Sequence, residues 1–328
     1  MDSHKSETDI LDVDLLAFET GTASERKAVI DGVMRSLETG FVYTTHTIGE
    51  GLLDDAYGML DQFFKLDTEV KARFHAPGTA GQTGYTGLLV ETAAVLDTPD
   101  WKEMLNWGSN IPTGHPLQKK YPHRYPEQVI PEAAVPGIAD VLGRFHHGMF
   151  DLQRRFLRII AVGLDADEDF FERLVDPSTT LSRAIHYPAM DLAPGDGHIW
   201  AGPHGDINLI TALPRATKKG LQVMIDDAWV DVAPPPEHAV INTGIMLERM
   251  TNGRIPVGWH QVIADPAEPG ERYSVVQFCH PTPWTVLSPM PSCITADRPQ
   301  KFAGIEAGNL LDQVLWEINL IDDAPRVS

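Results

Sequence analysis

From Leu181 onward the chain breaks into short β-prone segments, "SRAIHYPAM", "HIWAGP", "NLITALP", "GLQVMIDDAWVDV", "HAVINTG" and "RYSVVQFCHP", separated by Gly, Pro, Asp and Asn. β-Branched and aromatic residues in such runs favour strands, and the residues between them supply the turns. Short strands in this succession suggest an antiparallel sandwich. A double-sheet jelly roll, or double-stranded β-helix, is the natural candidate, because it accommodates about eight short strands and leaves an open end for a ligand.

Outside this region the periodicity changes. "ASERKAVIDGVMRSLETG" carries apolar residues at helical spacing, with Ser24 as N-cap and Gly40 as a stop. "FVYTT" follows as a strand, and "EGLLDDAYGMLDQFFKL" and "PGIADVLGRFHHGMFDLQRRFLRIIAVGL" are helical again, the second long enough to back a sheet. "IEAGNLLDQVLWEINLI" predicts a last amphipathic helix. The acidic run "DADEDFFERLVD" lacks the glycine and ligand register of a calcium loop and reads as a helix start with a solvated face. No repeat, low-complexity tract or linker separates these parts. The expected fold class is α+β, one integrated domain in three stretches: a helix-rich layer over residues 1–180, the jelly-roll core over 181–285, and a C-terminal segment with its helix over 286–328.

Composition narrows the function. The longest apolar runs, such as "FLRIIAVGL", fall well short of the roughly 20 residues that span a bilayer. The polar, acidic start "MDSHKSETDILDVD" lacks the features of a secretory signal, so a cytoplasmic protein with a loose N-terminus is expected. Cys279 and Cys293, the only 2 cysteines, form no disulfide framework or metal spacing. A formal charge of -20 opposes binding to nucleic acid or anionic membranes. A small-molecule substrate, with no obligate protein partner, is the expectation.

The chemistry centres on "HGDINLIT". Side chains two apart on a strand share a face, so His204 and Asp206 can converge on one ion. About one His-x-Asp is expected by chance in a chain with 13 His, so the match needs a structural context. His260, in "VGWHQVI" on a later predicted strand, supplies a third ligand. Two imidazoles and one carboxylate on one face leave three octahedral positions of Fe(II) open, whereas zinc is more often held tetrahedrally. Open positions admit both oxygen and a co-substrate whose carboxylate and neighbouring keto group chelate the metal. Arg272 and Ser274 alternate in "ERYSVV", so a guanidinium and a hydroxyl face the same way and can bind a distal carboxylate. Tyr85 in the Gly-flanked "GQTGYTG" and Trp107 in "DWKEMLNWG" are candidates for substrate contact at the pocket entrance, with a packed aromatic as the alternative for each; Trp101 has the same status. His146, His147, His186 and His280 read as packing or surface residues.

The colinear motifs "GPHGDINLITALP", "GLQV", "VINTGIMLERMTNG", "WHQV" and "RYSVVQF" together resemble the isopenicillin N synthase-like 2-oxoglutarate/Fe(II)-dependent dioxygenases. "ETGFVYTTHTIG", "FFKLDTEVKARF", "GYTG" and "DWKEMLNWG" resemble that family's helical portion, so nearly the whole chain is covered. The resemblance implies that His204, Asp206 and His260 bind Fe(II), that Arg272 and Ser274 hold the distal carboxylate of 2-oxoglutarate, and that Tyr187 helps bind it. This chain departs from many relatives at Ile185, where they place an asparagine near the metal end of 2-oxoglutarate, and at Gln261, where they place arginine. The implied reaction uses O2, converts 2-oxoglutarate to succinate and CO2, and oxidises an unactivated C–H of an amino-acid, peptide or other natural-product substrate, with hydroxylation as the default. Two alternatives remain: an isopenicillin N synthase-type oxidase, in which the Arg/Ser pair holds the substrate's own carboxylate, and a non-enzymatic metal- or ligand-binding sandwich.

Overall fold

The computed structural model describes residues 9–92, 98–109, 111–177 and 179–317; the N-terminal eight residues and the last turns of the expected C-terminal helix lie outside them. Twelve strands form two sheets: β1 (Asp12–Val13), β2 (Phe41–Thr45), β3 (Gly84–Thr86), β4 (Glu103–Gly108), β5 (Leu181–Tyr187), β6 (Ala201–His204), β7 (Ile210–Leu213), β8 (Leu221–Ile225), β9 (Ala228–Asp231), β10 (His238–Thr243), β11 (His260–Val262) and β12 (Arg272–Cys279). The large sheet runs β1-β2-β10-β7-β12-β5-β4-β3, and the small one β6-β11-β8-β9. All pairs are antiparallel except β1 with β2. This is the jelly roll of an α+β fold. Half of the large sheet (β1 to β4) comes from before Leu181, so the helix-rich first stretch also builds core sheet.

Helices cover the outer face of the large sheet. The longest, Ile138–Gly163, buries Leu142, Phe145, Met149, Leu152, Phe156 and Ile159 at helical spacing and packs on β7 and β12. Helices Ala23–Ser36 and Glu50–Phe64 pack against it in turn. The first of these starts earlier than its sequence suggests. Thr22, not Ser24, is the N-cap, and its hydroxyl and the Glu25 carboxylate close a reciprocal capping box. The helix ends at Leu37, and Gly40, at φ 81°, carries the reversal into β2; a side chain there would run into the backbone of Gly258. "DADEDFFERLVD" forms turns and one short 3-10 helix, Glu172–Leu174, in place of the expected helix start.

The space between the sheets holds two smaller apolar clusters. One contains Met104, Ile185, Tyr187, Trp200 and Val262; the other Phe41, Leu213, Val223 and Val240. Polar side chains, among them Asp206, Asn242, Arg272 and Ser274, line the space between them. Among the described residues no helix is long and apolar enough to cross a membrane.

Candidate metal centre and its cavities

His204 is the last residue of β6 and His260 the first of β11, and the two are paired across the small sheet. Asp206 stands beyond the end of β6, so it reaches the same point from a turn and not by strand alternation. Gly205 permits this path, because a Cβ there would collide with the Val257 side chain. One ligand atom from each of His204, Asp206 and His260 lies within 4.8 Å of the others.

Neighbouring groups orient each donor. His204 Nδ1 lies 2.7 Å from the Gly202 carbonyl and His260 Nδ1 2.9 Å from that of Gly258. A carbonyl only accepts, so Nδ1 carries the hydrogen, and in the neutral ring Nε2 keeps its lone pair. Asp206 Oδ2 accepts from Thr211 Oγ1 at 2.5 Å and Asn242 Nδ2 at 2.7 Å, leaving Oδ1 uncommitted, 4.0 Å from His260 Nε2. Burial, reinforced by His260, pushes the His204 imidazole down to about 4. Burial by itself would raise the Asp206 carboxyl, but His260, His204 and the two hydrogen bonds outweigh it and hold it below its ordinary value. The site thus offers a neutral His204 ring beside a carboxylate at neutral pH, the protonation states in which these groups can ligate a metal.

A narrow cavity of about 70 Å³ runs between the sheets, bordered by the triad and by Tyr187, Arg272 and Ser274. Arg272, 2% exposed, donates from Nε to the Lys218 carbonyl at 3.1 Å and from Nη1 to Ser274 Oγ at 3.1 Å. Its guanidinium stands 5.0 Å from the centroid of the Tyr187 ring, as the cross-strand pairing of the two residues requires. Arg272, Ser274 and Tyr187 are therefore brought together, in one cavity with the triad. Ile185 borders it too, whereas Gln261 turns to Gln222.

A wider cavity of about 560 Å³ is bordered by His204 and Asp206, and by Leu311, Val314 and Leu315 of the helix Ala307–Glu317. Tyr85 and Trp107, expected at its entrance, do not line it. Both lie on strands, β3 and β4, and are buried under the helical layer. Tyr85 donates to Glu103 at 2.5 Å and meets Phe63 edge-on, while Trp107 Nε1 donates to the Leu142 carbonyl at 3.1 Å. Trp101 is likewise packed, donating to the Ala189 carbonyl. His186, stacked on Tyr273, and His146, against Ser182 and Gln277, are packing residues as expected. His280 differs from its expected role: it borders the wider cavity, buried, with Nδ1 lacking a partner among the described residues. Thr211 and Asn242 were not singled out in the sequence, although Thr211 closes the "HGDINLIT" stretch.

Residues 9–132 match the family model described as non-haem dioxygenase in morphine synthesis N-terminal, and residues 179–281 that of the 2OG-Fe(II) oxygenase superfamily. Mugineic-acid 3-dioxygenase of Hordeum vulgare is 26% identical over 308 residues, covering 93% of this chain and 84% of its own. Among solved structures, a 2OG-Fe(II) oxygenase family protein from Caulobacter crescentus is 30% identical with a TM-score of 0.81, covering 94% of this chain and 99% of its own. A full-length protein of Neurospora crassa in complex with alpha-KG is 25% identical with a TM-score of 0.81, covering 93% of this chain and 95% of its own.

Proposed function

This chain belongs to the 2OG-Fe(II) oxygenase superfamily, an oxidoreductase using Fe(II), 2-oxoglutarate and O2, and on that premise we propose that it hydroxylates an unactivated C–H of a small natural-product-type molecule. His204, Asp206 and His260 hold the iron, and Arg272 and Ser274 hold the distal carboxylate of 2-oxoglutarate. One observation carries this reading: a three-donor face and a buried, forked cation border the same narrow cavity between the sheets. The donor chemistry fits Fe(II), since nitrogen, nitrogen and carboxylate oxygen on one face leave other positions for oxygen and a chelating keto acid. Bound iron and 2-oxoglutarate supply the oxygen activation, with release of succinate and CO2.

The chain's own residues arrange the reactants. Gly202 and Gly258 fix the two imidazoles, Thr211 and Asn242 restrict Asp206 to one free oxygen, and Arg272 offers two parallel N–H groups matched to a carboxylate. Tyr187, beneath the guanidinium, shapes the floor of the 2-oxoglutarate pocket. The wider cavity takes the substrate, and its volume suits a small organic molecule. A relative named for its action on mugineic acid supports a small organic molecule as substrate, without fixing its charge.

The test is succinate formation by the purified protein. It should require Fe(II), 2-oxoglutarate and O2 together, and it should rise with a small-molecule substrate that gains one oxygen atom. Protein that binds iron at the triad yet forms no succinate would overturn the proposal.

A further inference from the structure

Resting on the preceding reading, we propose that Arg183 anchors the substrate in the wider cavity and takes an uncharged oxygen acceptor, a carbonyl or hydroxyl of a mainly apolar molecule, and not a carboxylate. Arg183 projects from β5 on the same strand face as Ile185 and Tyr187 and borders both cavities, beside His204 and Asp206. Its Nε donates to Asn106 Oδ1 at 2.7 Å, and its guanidinium lies 5.4 Å from the Phe278 ring centroid. Nη1 is 3.5 Å from Glu91 Oε1, an ion pair without hydrogen-bond geometry. Among the described residues, no acceptor engages the Nη hydrogens. The side chain is 15% exposed and borders the cavity, so these donors are open to an acceptor that arrives there. Buried His280, whose Nδ1 has no partner among the described residues, adds a second polar group to the same lining.

Charge then selects the kind of acceptor. Two cations border the cavity, Lys102 and Arg183, against three buried or half-buried carboxylates, Glu91, Asp100 and Asp206, with Glu248, whose carboxyl burial raises, and exposed Glu317 farther along the lining. Lys102 is already held between Glu91 at 3.1 Å and Asp100 at 2.8 Å. Burial would raise the Glu91 carboxyl, but Arg183 and Lys102 outweigh it and hold it down to about 2, so Glu91 is ionised and offsets Arg183. Fe(II) and a 2-oxoglutarate dianion cancel, and the single charge of Arg272 beside them leaves the carboxylates of the lining in excess. A carboxylate substrate would therefore enter a lining with excess negative charge and lose its hydration without compensation, whereas a neutral oxygen does not incur that cost. Ile245, Val257, Trp259, Leu311 and Leu315 are among the apolar side chains of the lining and match an apolar body.

The experiment uses full-length protein loaded with Fe(II) and 2-oxoglutarate without oxygen. A panel of lactones, amides and methyl esters, each paired with its own free acid, is titrated while the visible charge-transfer band of the chelate is followed. The wild type should bind uncharged members about tenfold or more tighter than their acids, and Arg183→Leu, titrated at saturating 2-oxoglutarate so that the chelate is fully formed, should lose about tenfold for them. Glu91→Gln, which leaves the Arg183 charge unmatched, should shift preference toward the acids and tests the idea even if the arginine variant does not fold. Preference for acids in the wild type, no uncharged binder in the panel, or uncharged binding indifferent to Arg183→Leu overturns the proposal. If no chelate band forms, the 2-oxoglutarate reading fails instead, and thermal shifts of the iron-loaded protein read the same panel with the same criteria.

Discussion

At the scale of single residues, the three proposed ligands and the groups behind them make separable contributions. His204→Ala, Asp206→Ala and His260→Ala each leave two donors, so each should abolish most Fe(II) binding, read by metal content after gel filtration. A variant retaining full iron and turnover would remove that residue from the ligand set. Thr211→Val keeps all three ligands but frees Asp206 Oδ2 from its 2.5 Å hydrogen bond. Groups that orient a ligand commonly carry about 10- to 100-fold of metal affinity, so Fe(II) affinity should fall by roughly that factor while the fold persists. An unchanged dissociation constant would show that Asn242 alone holds the carboxylate. The triad was legible in the sequence because His-x-Asp and a later histidine sit within colinear motifs. The role of Thr211 was not, since it depends on how the turn after β6 folds back on β7.

At the scale of elements, alternation and turn residues expose β5, β7, β10 and β12 in the sequence, and helical spacing exposes Ile138–Gly163. β3 and β4 were hidden: β3 has three residues beginning at Gly84, and β4 pairs with β5, about 80 residues later, so Tyr85 and Trp107, packed under the helical layer, resemble loop aromatics at a pocket mouth. Their true placement gives a prediction. Trp107, 2% exposed against Phe145 and the Leu142 carbonyl, should cost about 3–5 kcal/mol of stability when replaced by Ala, measured by denaturant unfolding. Its substrate KM should stay close to wild type in whatever protein folds. A raised KM with undiminished stability would instead return Trp107 to the substrate pocket. The same nonlocality hid the lining of the wider cavity, where Glu91 and Lys102 meet Arg183 only after β4 and β5 have paired.

At the scale of the whole molecule, burial of histidines outside the ligand set, His146 and His280, sets a pH dependence. Burial pushes His146 down to about 4 and His280 down to about 3, both below the ordinary 6.5. The unfolded chain therefore binds more protons than the folded one below about pH 6.5, so stability falls as pH falls through that window. Between about pH 6.5 and 4.5, above the range in which most carboxylates titrate, the thermal midpoint of wild type should drop, and His146→Gln should flatten the drop. Equal slopes would mean that His146 is not held neutral by the fold. The central claim concerns a different global property, the joining of a metal face and a buried cation in one cavity. It is tested most directly by anaerobic titration of the iron-loaded protein with 2-oxoglutarate, in wild type and Arg272→Lys. The wild type should develop the visible charge-transfer band of a chelate, and the lysine variant, which keeps the charge but loses the paired planar hydrogen bonds, should need about ten- to hundredfold more 2-oxoglutarate to reach it. A wild type that binds iron but shows no band, or a lysine variant that titrates identically, would contradict the account.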